Sequence, residues 1–488
     1  MGGGLMQLVS YGAQDVYISG NPQITFWKIL YKRHTNFAVE SIEVTFNGQA
    51  DFNKRVTAII NRNADMMYKT YLQVVLPEVL PTTAATNQAR WVHFVGHQLI
   101  NMVEVEIGGQ RIDRQYGDWM QIWTQLSTEA GAVRALNSMI GQTAALTFPT
   151  QASGNLPPQP CTSNGAPSSC GALSRLPATT LYIPLQFWFC RNPGVAIPLI
   201  ALQYHEVRIN VEFNSVQLCA WQGPSVGGGP SLSLSNFGSL AAASLYVDYC
   251  YLDTEERRRF AQQSHEYLIE QVQYTGAESI TSSSNKIQLN FNHPVKELFW
   301  VVQRDSFVDC STTSTANTSW LGVQPFNYSD DFDVSVFGLE AVNDTADSED
   351  YTAVPNGPSA NLFLLGKVIL ESDIRCEGGN PVEVAKLQLN GQDRFTEREG
   401  SYFDKVQPYQ HHSRTPSTGI NVYSFALRPE EHQPSGTCNF SRIDKATLQL
   451  TVSVNTVSGS NTAQVRVYAL NYNVLRVMSG MGGLAYSN

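Results

Sequence analysis

One pattern is present twice in this chain, and that duplication restricts the fold more than any other feature. Val-Glu-Val-Glu-Ile-Gly-Gly-Gln at 103–110 lies over Ala-Lys-Leu-Gln-Leu-Asn-Gly-Gln at 385–392. Both alternate apolar and polar residues, the period of a half-buried strand. Both break at a glycine, which a tight turn accepts at positive φ. Further on, Phe189-Cys190-Arg191-Asn192-Pro193 is matched by Phe425-Ala426-Leu427-Arg428-Pro429. A unit repeated in tandem is the first expectation.

The offsets between the copies are informative. Val44 to Val272 is 228 residues, Gly109 to Gly391 is 282, and Phe189 to Phe425 is 236. The second copy therefore gains residues before the glycine turn, and the first copy gains a similar number after it. Both gains fall in loop-like sequence: 147–178 is Pro, Gly, Ser, Asn and Gln around Cys161 and Cys170, and 304–360 is rich in Ser, Thr, Asn and Asp. Loops between shared strands are where insertions are tolerated.

At 488 residues the chain exceeds one ordinary core, and two domains are the natural division. Short strands are read at 39–46, 55–61, 68–76, 99–107, 181–190, 201–213 and 245–252, and again at 265–274, 286–291, 298–303, 362–370, 447–454 and 464–477. The best helical window of the first half is 119–126, with 130–139 beyond it. A linker helix starts at Thr254, read as its cap, with Glu255 and Glu256 ahead of three arginines in the order the helix dipole favours. Many short strands without alternating helices indicate sandwiches. The fold class is all-β: two tandem eight-stranded jelly-roll β-sandwiches, a double jelly roll, with short helices in loops. The expected division is an N-terminal arm at 1–36, a first jelly roll at 37–253, the linker helix at 254–264, a second jelly roll at 265–479 and a C-terminal tail at 480–488.

Composition narrows the function. Charged residues are only 15% of the chain, against about 25% in ordinary domains. Such a weakly charged polar surface suits extensive protein contact, because few charges need desolvating. The net charge of −10 argues against direct nucleic-acid binding. Eight scattered cysteines are too sparse for a disulfide framework and read as free thiols, with a Cys161–Cys170 bridge across their loop as the alternative. No segment approaches the roughly 20 apolar residues of a membrane helix, and the first residues have no signal-peptide pattern. The arm carries apolar anchors, Phe26 and Trp27, and basic positions, Lys28, Lys32 and Arg33. These are the candidate assembly residues.

Candidate chemistry is thin. His93 and His97 have the spacing of two ligands on one helical face, but no glutamate follows His93 and Gly96 weakens a helix. His411 and His412 read as a solvated or interface pair in a polar loop. Asp330, Asp331 and Asp333 read as a solvated acidic loop, with calcium ligation as the alternative. No nucleophile elbow or phosphate loop is present. No catalytic, cofactor or metal residue is assigned, and the protein is read as a non-enzyme. Asn317, Asn327 and Asn343 are acceptor sequons in one insertion, and Asn439 opens a fourth; the first three are the candidate glycosylation sites.

The chain also resembles the major capsid protein of the nucleocytoplasmic large DNA viruses over nearly its whole length. The resemblance rests on Gly20-Asn21-Pro22-Gln23-Ile24-Thr25-Phe26 with Tyr31-Lys32-Arg33-His34-Thr35-Asn36-Phe37, on Phe189-Cys190-Arg191-Asn192-Pro193 with Ile200-Ala201-Leu202-Gln203-Tyr204-His205-Glu206-Val207, and on Tyr423-Ser424-Phe425-Ala426-Leu427-Arg428-Pro429-Glu430 with Gln433-Pro434-Ser435-Gly436-Thr437-Cys438-Asn439-Phe440-Ser441. It implies pseudo-hexagonal homotrimeric capsomers tiling the icosahedral shell of a large double-stranded DNA virus around an internal membrane. The implied partners are the chain itself, neighbouring capsomers, minor capsid proteins, a penton protein and, indirectly, that membrane. The implied location is the virion capsid, with synthesis and assembly in the host cytoplasm. The rival reading is a carbohydrate-binding jelly roll, suggested by the aromatics and long polar loops.

Overall fold

The structure is a computed structural model that describes residues 2–80, 87–147, 175–224, 237–308, 324–331, 339–341, 362–364, 378–459 and 461–486. Sixteen strands build two sandwiches. The first contains β1 (Phe37–Val44), β2 (Arg55–Ile60), β3 (Met66–Leu76), β4 (Ile100–Ile107), β5 (Gln110–Tyr116), β6 (Thr179–Pro184), β7 (Val207–Phe213) and β8 (Ala242–Leu252). The second contains β9 (His265–Ile280), β10 (Ser284–Leu289), β11 (Pro294–Arg304), β12 (Val382–Leu389), β13 (Gln392–Glu399), β14 (Asn421–Ser424), β15 (Ala446–Val452) and β16 (Ala463–Met478).

The sheets of the first half run β1-β8-β3-β6 and β2-β7-β4-β5, and those of the second run β9-β16-β11-β14 and β10-β15-β12-β13. Adding eight to each number converts one half into the other. That is one jelly roll made twice, and the duplicated pattern marks the same place in each. Gly108 and Gly109 (φ +59° and +80°) turn β4 into β5, and Asn390 and Gly391 (φ +50° and +81°) turn β12 into β13. A two-residue hairpin loop of this kind needs positive φ at both positions, which selects Gly and Asn.

Alternation along the strands fills two cores. Val56, Ala58 and Ile60 of β2 meet Leu72 and Val74 of β3 in the first. Ile287 and Leu289 meet Leu298, Trp300 and Leu448 in the second. β9 and β16 are longer than their neighbours, and their far ends place Ile269, Leu475 and Val477 in the first core. The second half is therefore rooted in the first.

Several expected boundaries move. The strand read at 181–190 stops at Pro184, which cannot donate to a ladder, and a short helix Trp188–Arg191 follows. Only Val207–Phe213 of 201–213 is strand, after a 3-10 turn at Leu199–Ala201. The helical window separates into Gly117–Ser127 and Val133–Met139. The linker helix is Thr254–Gln262, and its cap is Asp253, whose side chain accepts from the Thr254 N–H, in place of Thr254 itself. Met481–Leu484 pairs back onto the end of β16.

Residues up to Phe37 form a separate unit. It holds two short helices, Gly3–Val9 and Asp15–Ser19, and neither buries a residue.

Candidate functional site at the junction of the two rolls

The helix Gly117–Ser127 follows β5 in the first roll and lies on the second. Trp119, Ile122, Trp123 and Leu126 recur at three- and four-residue spacing, which puts them on one face. They form a third apolar cluster with Val272, Phe299, Val301, Tyr328, Val422, Tyr468 and Leu470 of the second roll. The Trp119 ring meets Phe299 edge-on at 5.0 Å and Tyr468 at 5.8 Å. Such aromatic pairs add roughly 0.5–1.5 kcal/mol beyond area burial. Asp118, in the first turn of this helix, pairs with Arg466 of β16. Polar seams run beside it: the Val272 N–H donates to Asp113 Oδ1 at 3.0 Å, and Gln271 Nε2 donates to the Ile112 carbonyl.

Beside the helix lies a buried charge network that joins the rolls. Arg191, from the first copy of the duplicated motif, donates to Glu270 Oε2 at 2.7 Å. Lys296 donates to Glu270 Oε1 at 2.6 Å and to the carbonyl of Pro429, in the second copy, at 2.7 Å. The Arg191 guanidinium also stacks 4.2 Å over Trp123. Burial alone would raise the Glu270 carboxyl, but Lys296 and Arg191 more than offset this and hold it below the usual carboxylate range.

His412 completes the network. Its side chain is fully buried, with Nε2 3.0 Å from Glu297 and Nδ1 2.9 Å from Glu430. Trp123 and Phe299 pack against the ring. Burial pulls the imidazole down, yet the two carboxylates push it up to about 9. His412 is thus a buried cation and not the solvated residue its polar loop suggested. His411 is more exposed and bonds the Leu427 carbonyl.

The remaining candidates separate. His93 and His97 are both buried and bond different glutamines, Gln142 and Gln121. Burial drives them down to about 3 and about 4, so both are neutral. Asp330 accepts from the Gly379 N–H at 2.6 Å, and Asp333 lies outside the described residues. Among the described residues no group of three or more His, Cys, Asp or Glu could hold a metal. Cys190, Cys219, Cys250 and Cys438 are free thiols, and the other four lie outside the described residues.

Asn327 is half-buried; its amide nitrogen donates to Gln324 at 2.7 Å and to the Asp331 carbonyl at 2.9 Å. A glycan on that nitrogen would displace one of those bonds. Asn317 and Asn343 lie outside the described residues, and Asn439 caps a 3-10 turn through the Ser441 N–H. In the arm, Phe26 and Trp27 are 87% and 96% exposed, and Lys28, Lys32 and Arg33 are exposed with them.

Arg191, Glu270, Lys296, Glu297 and Glu430 are not among the sequence candidates, whereas His412 is, as one of a solvated or interface pair. A signal existed for the β11 pair: Leu298-Phe299-Trp300-Val301-Val302 is an unbroken apolar run, which means a strand covered on both faces. Charges directly before such a run have nowhere dry to point except at a partner.

Two like-ordered sandwiches fixed by one helix and a buried ion network define a double jelly-roll protein. Residues 25–253 match the family described as major capsid protein N-terminus, and residues 256–483 match that described as large eukaryotic DNA virus major capsid protein. The chain is 58% identical to the major capsid protein of Phaeocystis pouchetii virus and 38% identical to that of Paramecium bursaria Chlorella virus 1, with all of both chains covered in each case. A chain of the PBCV-1 virus capsid matches with a TM-score of 0.66 at 34% identity, covering 95% of this chain and 100% of that one. The Faustovirus major capsid protein, at 15% identity, shares the fold with a TM-score of 0.67 over 96% of this chain and 94% of its own. The chain belongs to the family of large eukaryotic DNA virus major capsid proteins, and its place is the virion capsid.

Proposed function

We propose that this chain works by self-association alone, as a homotrimeric capsomer with a pseudo-hexagonal outline that tiles an icosahedral shell. The observation that carries this reading is the repeated sandwich held at a fixed junction. Two like units per chain supply two of six corners, and three chains close the ring with cyclic symmetry. Light scattering on a size-exclusion column tests it. A particle of three 54.0 kDa chains supports the capsomer; a stable monomer that binds glycans on an array would favour the carbohydrate-binding alternative.

The finer organisation is part of the same proposal: an arm at 1–36, rolls at 37–253 and 265–479 joined by 254–264, a tail at 480–488, and sugar acceptors at Asn317, Asn327 and Asn343. The arm has exposed aromatic and basic residues and no buried position of its own, which suits a segment that orders on a neighbouring subunit or on minor capsid proteins beneath the shell. Deleting residues 1–25 should leave a folded trimer and impair shell assembly; regular particles from that truncation would refute the arm's role. A penton protein at the vertices, an internal membrane touched only indirectly, assembly in the host cytoplasm, and the absence of direct nucleic-acid contact and of enzymatic activity belong to this reading too.

A further inference from the structure

The junction inside the chain shows how one roll docks on another, and the same parts recur at two other places in the molecule without such a contact among the described residues. In each roll the third and eighth strands pair, and an aromatic couple lies across them on the face turned away from that roll's core. In the second roll the couple is Phe299 opposite Tyr468, and Trp119 covers it. In the first roll it is Tyr71 opposite Tyr246, stacked at 5.1 Å with 2° between the rings. Tyr182 of β6 extends the stripe at 6.2 Å from Tyr71. Nothing equivalent to Trp119 lies on this couple among the described ring contacts; both rings are half-buried and Tyr182 is 40% exposed.

The covering element is also duplicated. The helix Gly117–Ser127 follows β5. After β13, the corresponding strand, a π-turn Tyr402–Val406 runs into the helix Gln407–His411. Its inner side is spent on its own roll, where Phe403 packs against Trp300 and Phe395. Its outer side presents Val406, 39% exposed, and Tyr409, 82% exposed. These lie three residues apart on one helical face, as Trp119 and Ile122 do. Charge agrees with the match: Lys405 is exposed beside Val406 on the π-turn, and Glu43 faces Tyr246 on the sheet.

We propose that Val406 and Tyr409 of one copy seat on the Tyr71, Tyr246 and Tyr182 stripe of a second copy of this chain. The contact is heterologous, helix of one onto sheet of the next, and closes at three because each chain already contributes two rolls. It rests on the trimeric reading and specifies which surfaces make it. The chemistry of the two seats differs as their roles require. The internal seat adds Phe299, Val301 and Leu470 to its tyrosines and is permanent; the external one is tyrosine throughout, and tyrosine tolerates water before assembly and contact after it.

The test uses the full chain with Tyr246→Cys and Tyr409→Cys together, treated with a short bis-maleimide. Covalent trimers on a denaturing gel are the expected result, with neither single substitution producing them. The companion variant is Tyr71→Ser with Tyr246→Ser, two surface positions whose loss spares both cores. The trimer should then dissociate at concentrations at least tenfold higher than the unaltered chain, with the far-ultraviolet circular dichroism unchanged. An unaltered chain that runs as a monomer would sink the trimer and this seat together. A trimer that neither cross-links nor weakens would sink the seat alone.

Discussion

The pH response of the junction is a sharp consequence of the buried network. His412 is raised from its ordinary 6.5 to about 9 in the fold. A group whose folded value lies above its unfolded one adds stability that is complete below the unfolded value and is lost as pH rises through the folded value. The contribution here is about 3 kcal/mol, since one pH unit of displacement is worth 1.36 kcal/mol. It should be present in full at pH 6, decline from about 6.5 and be gone above about 9. The reference protein carries His412→Gln with Glu297→Gln, which replaces the pair by neutral groups of similar shape. His412→Gln alone is unsuitable as a reference, because it strands the Glu297 carboxylate without its partner in a dry site. Asp113, buried and raised to about 7, titrates in both proteins and cancels. The readout is urea unfolding followed by tryptophan fluorescence, with the Trp123 ring 6.2 Å from the imidazole. The stability gap between the two proteins should narrow by about 3 kcal/mol from pH 6 to pH 10. A gap that does not change with pH would refute the charged, buried histidine and the network built on it.

Trp119→Ala should cost about 3–5 kcal/mol, because it opens a cavity between the rolls; differential scanning calorimetry should show the two rolls beginning to melt separately. Glu270→Gln should cost about 3–5 kcal/mol by leaving Lys296 and Arg191 facing each other without their anion. The triple replacement Arg191→Met, Glu270→Leu and Lys296→Met should recover most of that loss in the same urea titration. Gly391→Val should cost on the order of 1–2 kcal/mol at φ +81°, whereas Gly131→Ala, at an open position with nothing near its Cβ, should be close to neutral in the same measurement.

The repeat was readable because its glycine turns obey a local rule. Gly109 and Gly391 need positive φ whatever surrounds them, so chemistry one residue wide betrays the hairpin. The helix Gly117–Ser127 was readable from its apolar spacing, but its task was not. Trp119 and Trp123 look like any amphipathic face, and only the tertiary contact reveals that the face belongs to the other roll. The network was hidden for a related reason. Lys296 and Glu297 open a strand and resemble a solvated start, and His412 follows a proline-containing polar stretch. Lys296 meets Glu270, His412 meets Glu297 and Glu430, and Glu270 meets Arg191; all lie well apart along the chain, and a sequence read in windows cannot bring them together.

That distance in sequence also bears on why charge sits at this junction at all. An apolar seam of tryptophan, phenylalanine and tyrosine would hold the rolls together, yet such surfaces can slide at little cost. Buried ion pairs often add nothing to stability over apolar replacements of equal volume; what they add is one permitted geometry, because a displaced charge loses its partner in a dry site. The internal junction fixes the angle between two of the six corners, and an error there is repeated in every subunit of a closed ring. The triple apolar variant separates the two roles. We predict a chain about as stable as the original whose particles, counted by electron microscopy, are irregular. Particles as uniform as those of the unaltered chain would mean that the apolar seam alone sets the angle.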